Sequence, residues 1–119
     1  MTTETLRQKQ SRFALGVALL IQHADSLGYE ITLGEAWRTP EQAKWNASQG
    51  IGTVSSLHIE RLAIDINLFK DGRFITDGEG HTELGRWWKS LGPDYRHGGD
   101  FSGKKDFNHY AISPDGKRA

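Results

Sequence analysis

The fold of this chain is decided by residues 56–69, which read Ser56-Leu-His-Ile-Glu-Arg-Leu-Ala-Ile-Asp-Ile-Asn-Leu-Phe69. From Leu62 onward, large apolar side chains alternate with small or polar ones, a period of two that is typical of a strand with one buried face. The alternation places Asp65 on the face opposite the apolar layer. The next residues, Lys70-Asp71-Gly72-Arg73, predict a turn, and Phe74-Ile75 predict a return strand. The stretch therefore opens an antiparallel hairpin.

Helices are predicted on both sides of this hairpin. The N-terminal segment carries apolar side chains at spacings of three, four and seven, with Thr3 as a candidate N-cap and Gly28 placed to end the helix. Thr39-Pro-Glu-Gln42 has the form of a capping box with proline at the first helical position. The predicted helices cover residues 4–27, a short segment from Pro40 that Gly50 closes, and residues 82–91.

Two further strands are predicted, and together with the hairpin they set the fold class. Residues 29–33 alternate in polarity and predict a strand that runs on toward Arg38, and residues 107–112 predict the last strand. Residues 93–106 read as one loop, and a loop of that length in so small a domain indicates a functional site. The tail from about residue 113 is expected to fray. We predict an α+β fold with a small antiparallel sheet and helices packed on it.

Length and composition exclude several classes of function. A chain of 119 residues predicts one domain spanning residues 1–119, which we expect to be a monomer. Lysines plus arginines equal aspartates plus glutamates at 15 each, so no strong field favours nucleic acid or an anionic membrane. Cysteine is absent, so any metal must be held by nitrogen and oxygen ligands. The first residues lack the pattern of a secretory signal, which predicts a cytosolic location.

Three residues form a candidate metal site, namely His58, Asp65 and His109. Two imidazoles and one carboxylate suit a catalytic zinc ion, because three protein ligands leave the fourth tetrahedral position open for water. Water bound to zinc loses a proton near neutral pH and becomes a nucleophile. Asp106 lies three residues before His109, close enough to act as a general base. Spacing alone makes this a weak signal, because such sets arise often by chance.

The surrounding residues add a family pattern. Ser56-x-His58-x4-Ala63-x-Asp65, followed by Asp106-x-x-His109, resembles the zinc D-alanyl-D-alanine carboxypeptidase and L-alanyl-D-glutamate endopeptidase family of bacterial and phage wall enzymes. Trp37-Arg38-Thr39 is similar to that family's arginine segment, and Gly98-Gly99-Asp100-Phe101 to its glycine-rich loop. The resemblance spans roughly residues 29–112 and implies a fold of the Hedgehog and DD-peptidase type.

The resemblance implies a role for each matching position. His58, Asp65 and His109 would bind Zn²⁺, and Asp106 would activate the water and pass its proton to the leaving amine. Arg38 would face the carbonyl oxygen or a substrate carboxylate, where a fixed guanidinium stabilises growing negative charge.

The same resemblance places other side chains against the substrate. Ser56 would hydrogen-bond the substrate near the metal, and Gln42 is a weaker candidate for the same wall. The sequence departs from the family pattern twice. Arg61 stands where a glycine is usual, between the first two ligands. His97 replaces an aromatic residue before the glycine-rich loop, where it would touch substrate or compete as a metal ligand.

The residue at the base position separates branches of the family. A glutamate there is common in the carboxypeptidase branch, whereas an aspartate such as Asp106 resembles phage endolysins that cleave the L-alanyl-D-glutamate bond of the peptidoglycan stem peptide. The resemblance thus implies a lysis enzyme that stays in the host cytoplasm until the membrane is permeabilised. Two alternatives stay open: a D-alanyl-D-alanine carboxypeptidase, and a non-catalytic, zinc-containing module that binds the wall.

Overall fold

The computed structural model describes residues 4–50, 56–76, 78–101 and 105–113. Helices and antiparallel strands are mixed along this part of the chain, which confirms the predicted α+β class. The elements in chain order are α1 (Leu6–Ser26), β1 (Glu30–Leu33), α2 (Pro40–Ser48), β2 (Ala63–Lys70), β3 (Arg73–Phe74), α3 (Glu79–Lys89), β4 (Tyr95–His97), a 3₁₀ turn (Gly98–Asp100) and β5 (His109–Ile112).

The strands form one antiparallel sheet in the order β1-β2-β5-β4, and β3 pairs with the end of β2. Strand β2, which the alternating stretch predicted, pairs with three of the other strands and lies in the interior of the sheet. The predicted turn between β2 and β3 has Asp71 at φ 54° and Gly72 at φ 77°. Two consecutive left-handed residues are what a two-residue hairpin turn needs, and aspartate followed by glycine suits them.

The core lies between the apolar face of the sheet and the two longer helices. Ile64, Ile66 and Leu68 of β2 are buried, and their neighbours Asp65 and Asn67 are only partly so, as the alternation predicts. The helices contribute side chains that are almost fully buried, and full burial of a large aliphatic side chain or of phenylalanine stabilises the fold by about 1.5–3 kcal/mol. These helical core residues include Phe13, Leu20, Ala24, Leu84 and Trp88.

The first predicted helix and the first predicted strand each differ from expectation at one end. Helix α1 begins at Leu6, and its N-cap is Thr5, whose hydroxyl accepts from the Gln8 amide while the Gln8 side chain accepts from Thr5. The predicted cap, Thr3, lies outside the described residues. Strand β1 ends at Leu33 and does not run to Arg38. The residues that follow it form main-chain hydrogen bonds with Asp65 and His58.

The C-terminal third contains more regular structure than predicted. Helix α3 begins three residues earlier than expected, and the predicted loop over residues 93–106 includes β4 and the 3₁₀ turn. Ser113 is fully buried, and its amide donates to the Asp94 carbonyl over 2.8 Å, so the fold extends through this residue. The rest of the predicted tail lies outside the described residues. Within the described ranges, no helix is long and apolar enough to cross a membrane.

Candidate metal centre

Asp65 and His109 face each other across the middle of the sheet. They are register partners of β2 and β5, and directly opposed residues of an antiparallel pair project to the same face. His109 Nδ1 lies 3.6 Å from Asp65 Oδ1. His109 is buried, and the Asp65 side chain is 23% exposed. The strand pairing alone therefore brings together two of the three predicted ligands.

The third predicted ligand, His58, comes from the tight turn that precedes β2. The Ser56 hydroxyl accepts a hydrogen bond from the His58 amide over 3.2 Å, and the Arg61 amide donates to the His58 carbonyl. Arg61 adopts φ 56°, the left-handed region in which glycine is favoured. Its guanidinium stacks on the Trp37 ring at 4.6 Å. The turn directs His58 Nε2 to within 3.4 Å of Asp65 Oδ1.

The three side chains fit a metal ion. One ligand atom from each of His58, Asp65 and His109 lies within 4.8 Å of the others. Asp65 Oδ1 is buried between the two imidazoles and has no hydrogen-bond partner among the described residues. Burial opposes ionisation of Asp65, but the His109 and His58 imidazoles outweigh it and lower the pKa of this carboxyl group to about 2. Two imidazole nitrogens and one ionised carboxylate are a donor set that zinc prefers.

Residues 34–38 run alongside this group and are bonded to it. The Gly34 amide donates to the Asp65 carbonyl over 2.7 Å, and the Asp65 amide donates to the Glu35 carbonyl over 2.9 Å. A Cβ at Gly34 would lie 2.9 Å from Asp65 Cβ, so this approach requires glycine. The Arg38 amide donates to the His58 carbonyl over 3.2 Å. The main chain here fixes the backbone of two candidate ligands.

Glu35 is a site residue that the sequence reasoning missed. Its Oε1 lies 2.5 Å from Arg38 Nη2 and 3.5 Å from His58 Nδ1. The Arg38 side chain is only 14% exposed. Its ion pair with Glu35, which also contacts His58, holds the predicted catalytic arginine near this candidate ligand. The signal available in the sequence was an acidic residue three positions before Arg38.

The predicted base, Asp106, lies in the connection that leads into β5. Its carbonyl accepts from the His109 amide over 3.1 Å, and its own amide donates to the Gly98 carbonyl over 3.0 Å. Gly98 has no room for a Cβ, which would collide with the Asp106 carbonyl. The Asp106 side chain is exposed and lines a cavity of about 240 Å³ together with Asn67 and Asn108. The base role of Asp106 stays a prediction.

The three predicted substrate-binding residues have local partners. Ser56 is buried beneath the His58 turn, and the exposed Gln42 donates to Asn46 Oδ1 over 2.7 Å. His97 is 4% exposed, and its Nε2 lies 2.6 Å from the Phe107 carbonyl oxygen. It is not a member of the candidate metal-binding group that His58, Asp65 and His109 form among the described residues. The substrate contacts of all three side chains stay predictions.

The fold and the buried His-Asp-His group define a small α+β domain with a candidate metal centre. No protein-family model matches the sequence, and no curated protein matches it significantly. Among solved structures, the chain is similar to the L-Ala D-Glu endopeptidase ChiX of Serratia marcescens, with a TM-score of 0.72. The match covers 87% of this chain and 79% of ChiX at 16% sequence identity. At this identity the likeness shows a shared fold.

Proposed function

We propose that this protein is a zinc-dependent peptidoglycan peptidase that hydrolyses the L-alanyl-D-glutamate bond of the stem peptide. The observation that carries the proposal is the buried group of His58, Asp65 and His109, within a fold shared with an enzyme described as an L-Ala D-Glu endopeptidase. The sequence resemblance to wall peptidases supports the same reaction. We further propose that the protein acts as a phage endolysin, as a monomer, after the host membrane is permeabilised.

The three ligands would hold Zn²⁺ with one position left for the reaction. Zinc bound there supplies Lewis acidity, which polarises the scissile carbonyl and makes a water molecule acidic enough to act as a nucleophile near neutral pH. Asp65 contributes a negative charge at every relevant pH, because its pKa is about 2. Metal binding requires deprotonated ligands, so acidification toward pH 5 is expected to weaken zinc binding.

Proton transfer is assigned to Asp106. Its carboxylate takes a proton from the attacking water and returns it to the amide nitrogen as the C–N bond breaks, so that the amine leaves neutral. The Asp106 carbonyl accepts a hydrogen bond from the His109 amide, so the backbone of the proposed base is tied to that of a candidate ligand. The exposure of its side chain leaves it accessible to water and substrate.

Substrate binding is assigned to Arg38, Ser56, Gln42 and His97. Arg38 donates to the carbonyl oxygen as negative charge grows on it, and the Glu35 ion pair keeps its guanidinium beside His58. The cavity beside Asp106 is also lined by Asn67 and Asn108, whose amide groups can pair with a peptide backbone.

Peptidoglycan digestion tests this proposal directly. The zinc-loaded protein is incubated with purified peptidoglycan, and new chain ends are identified by mass spectrometry, with a chelator-treated sample as the control. We expect chelator-sensitive release of stem peptide that begins at D-glutamate. Loss of terminal D-alanine alone would replace the endopeptidase with a carboxypeptidase. Bound zinc with no product would indicate a module that binds the wall without cutting it.

A further inference from the structure

A carboxylate lies on the far side of His58 from the metal-binding group. Glu35 Oε1 is 3.5 Å from His58 Nδ1, whereas the other ring nitrogen, Nε2, approaches Asp65. Glu35 Oε1 is itself buried, although the side chain as a whole is 34% exposed. The oxygen that faces His58 is therefore shielded from water, which strengthens its interaction with a nearby proton donor.

The chemistry of imidazole explains why this position matters. A neutral histidine carries one proton, so the nitrogen that binds a metal must be bare and the other nitrogen must carry the proton. His58 Nδ1 is buried and has no hydrogen-bond partner among the described residues. A buried N–H group without an acceptor is unfavourable. Glu35 supplies a carboxylate that faces this nitrogen, and a short approach completes the hydrogen bond.

Glu35 is in turn held from two directions. Arg38 Nη2 contacts the same Oε1 at 2.5 Å and balances its charge. The Glu35 carbonyl accepts from the Asp65 amide, so the main chain of Glu35 is fixed to the strand that carries a candidate ligand. The carboxylate thus has little freedom to turn away from His58.

We propose that Glu35 is a positioning residue that holds His58 with its proton on Nδ1, so that bare Nε2 faces the metal. Outer-sphere carboxylates orient metal-binding histidines and raise their basicity. The inference rests on the proposed function only in taking the His-Asp-His group as the zinc site. Glu35 acts through His58 and does not contact the metal, because it faces the opposite ring nitrogen.

Zinc affinity gives the first test. The full-length protein is titrated with zinc against a fluorescent chelator, as wild type, Glu35→Ala and Glu35→Gln. We expect Glu35→Ala to weaken zinc binding by about 10–100-fold, the range for loss of such a partner. Glu35→Gln should lose less, because its amide oxygen still accepts a hydrogen bond. Glu30→Gln, an exposed carboxylate on β1, should bind as wild type. Unchanged affinity in Glu35→Ala would overturn the proposal, and so would a loss as complete as that of His58→Ala.

The protonation site of His58 gives a second readout that a general loss of stability would not move. Long-range ¹H–¹⁵N spectra of histidine-labelled protein report which ring nitrogen carries the proton. Both proteins are measured without metal. We expect the His58 proton on Nδ1 in the wild type and a shift of the proton toward Nε2 in Glu35→Ala. The same tautomer in both proteins would overturn the proposal. If Glu35→Ala does not fold, Glu35→Leu, which also lacks an acceptor for the His58 proton, carries both measurements. Neither readout depends on hydrolysis, so failure of the peptidase proposal is seen separately.

Discussion

The candidate metal ligands and the proposed base are held by different parts of the fold. Asp65 and His109 lie opposite each other on paired strands in the middle of the sheet, where His109 is buried and Asp65 projects from the face of β2 that is opposite the apolar core. Asp106, in contrast, lies in the connection between β4 and β5. Two main-chain hydrogen bonds fix its backbone there, and its side chain is exposed. Strand pairing thus places Asp65 and His109, the turn before β2 places His58, and a connection places the proposed base.

Under the proposed function, this difference predicts that metal binding and proton transfer can be separated by substitution. A metal site needs donor atoms fixed to within a few tenths of an ångström, which strands packed on a core provide. A base that exchanges protons with water and substrate needs access, which the connection provides. Substitutions of the ligands and of the proposed base should therefore fail in different ways.

Removal of the central carboxylate should have the largest effect. Asp65→Ala deletes the oxygen that lies between the two imidazoles, so zinc affinity should fall by more than the roughly 100-fold upper range for an outer-sphere partner, and hydrolysis should fall with it. Competition with a chelator measures the affinity. Asn67→Ala, two residues further along the same strand face, is the matched control and should bind zinc as wild type does. Zinc binding that survives in Asp65→Ala would remove this residue from the metal site.

Removal of the proposed base should leave the metal in place. Asp106→Ala should bind zinc as wild type does and should lower the rate of peptide release by about 10²–10⁴-fold, the usual contribution of a general base. The two measurements are the zinc content of the dialysed protein and the rate of product formation on peptidoglycan. Asp25→Ala removes an exposed carboxylate near the end of α1 and serves as the control. A rate close to that of wild type would take the base role from Asp106 and end the proposed division between strand and connection.

The sequence predicted the ligand side better than the connection. Alternation in β2 is long enough to show a period of two, and it correctly placed Asp65 away from the core. Strand β4 has only three residues, Tyr95–His97, which is too short for a period to be recognised beside Pro93 and the two following glycines. A connection that was predicted as one loop therefore contains a strand with two buried side chains.

Local chemistry also explains one boundary and one missed residue. Thr5 was a better cap than Thr3, because a glutamine three residues later completes the reciprocal capping box, whereas Leu6 follows Thr3 at that distance. Glu35 could not be found in the same way. Its contact with His58 joins residues that are distant in the chain, and only the tertiary structure brings them together. The acidic residue three positions before Arg38 signals only the ion pair with that arginine, and no periodic or local pattern reports the contact with His58.

The smallest expected effect concerns His97 of β4, whose ring contacts the Phe107 carbonyl in the connection between β4 and β5. Burial disfavours its charged form and lowers its pKa below the ordinary value, although the Phe107 carbonyl and Asp100 oppose this; Lys89 and His109 lower it further. The unfolded chain, with an ordinary histidine pKa of about 6.5, then binds more protons than the folded chain as pH falls below that value. Folding stability should therefore decrease as the pH falls through about 6.5.

His97→Gln should remove this contribution, because the glutamine amide can still donate to the Phe107 carbonyl but does not titrate. Urea unfolding of both proteins at about pH 8 and about pH 5.5, with chelator present to exclude metal, measures the effect. From about pH 8 to about pH 5.5, the free energy of unfolding of the wild type should fall by more than that of His97→Gln. An equal fall in both proteins would mean that His97 does not couple protonation to folding. The connection would then be held by the Gly98 and Asp106 main-chain contacts without a contribution from this imidazole's charge state.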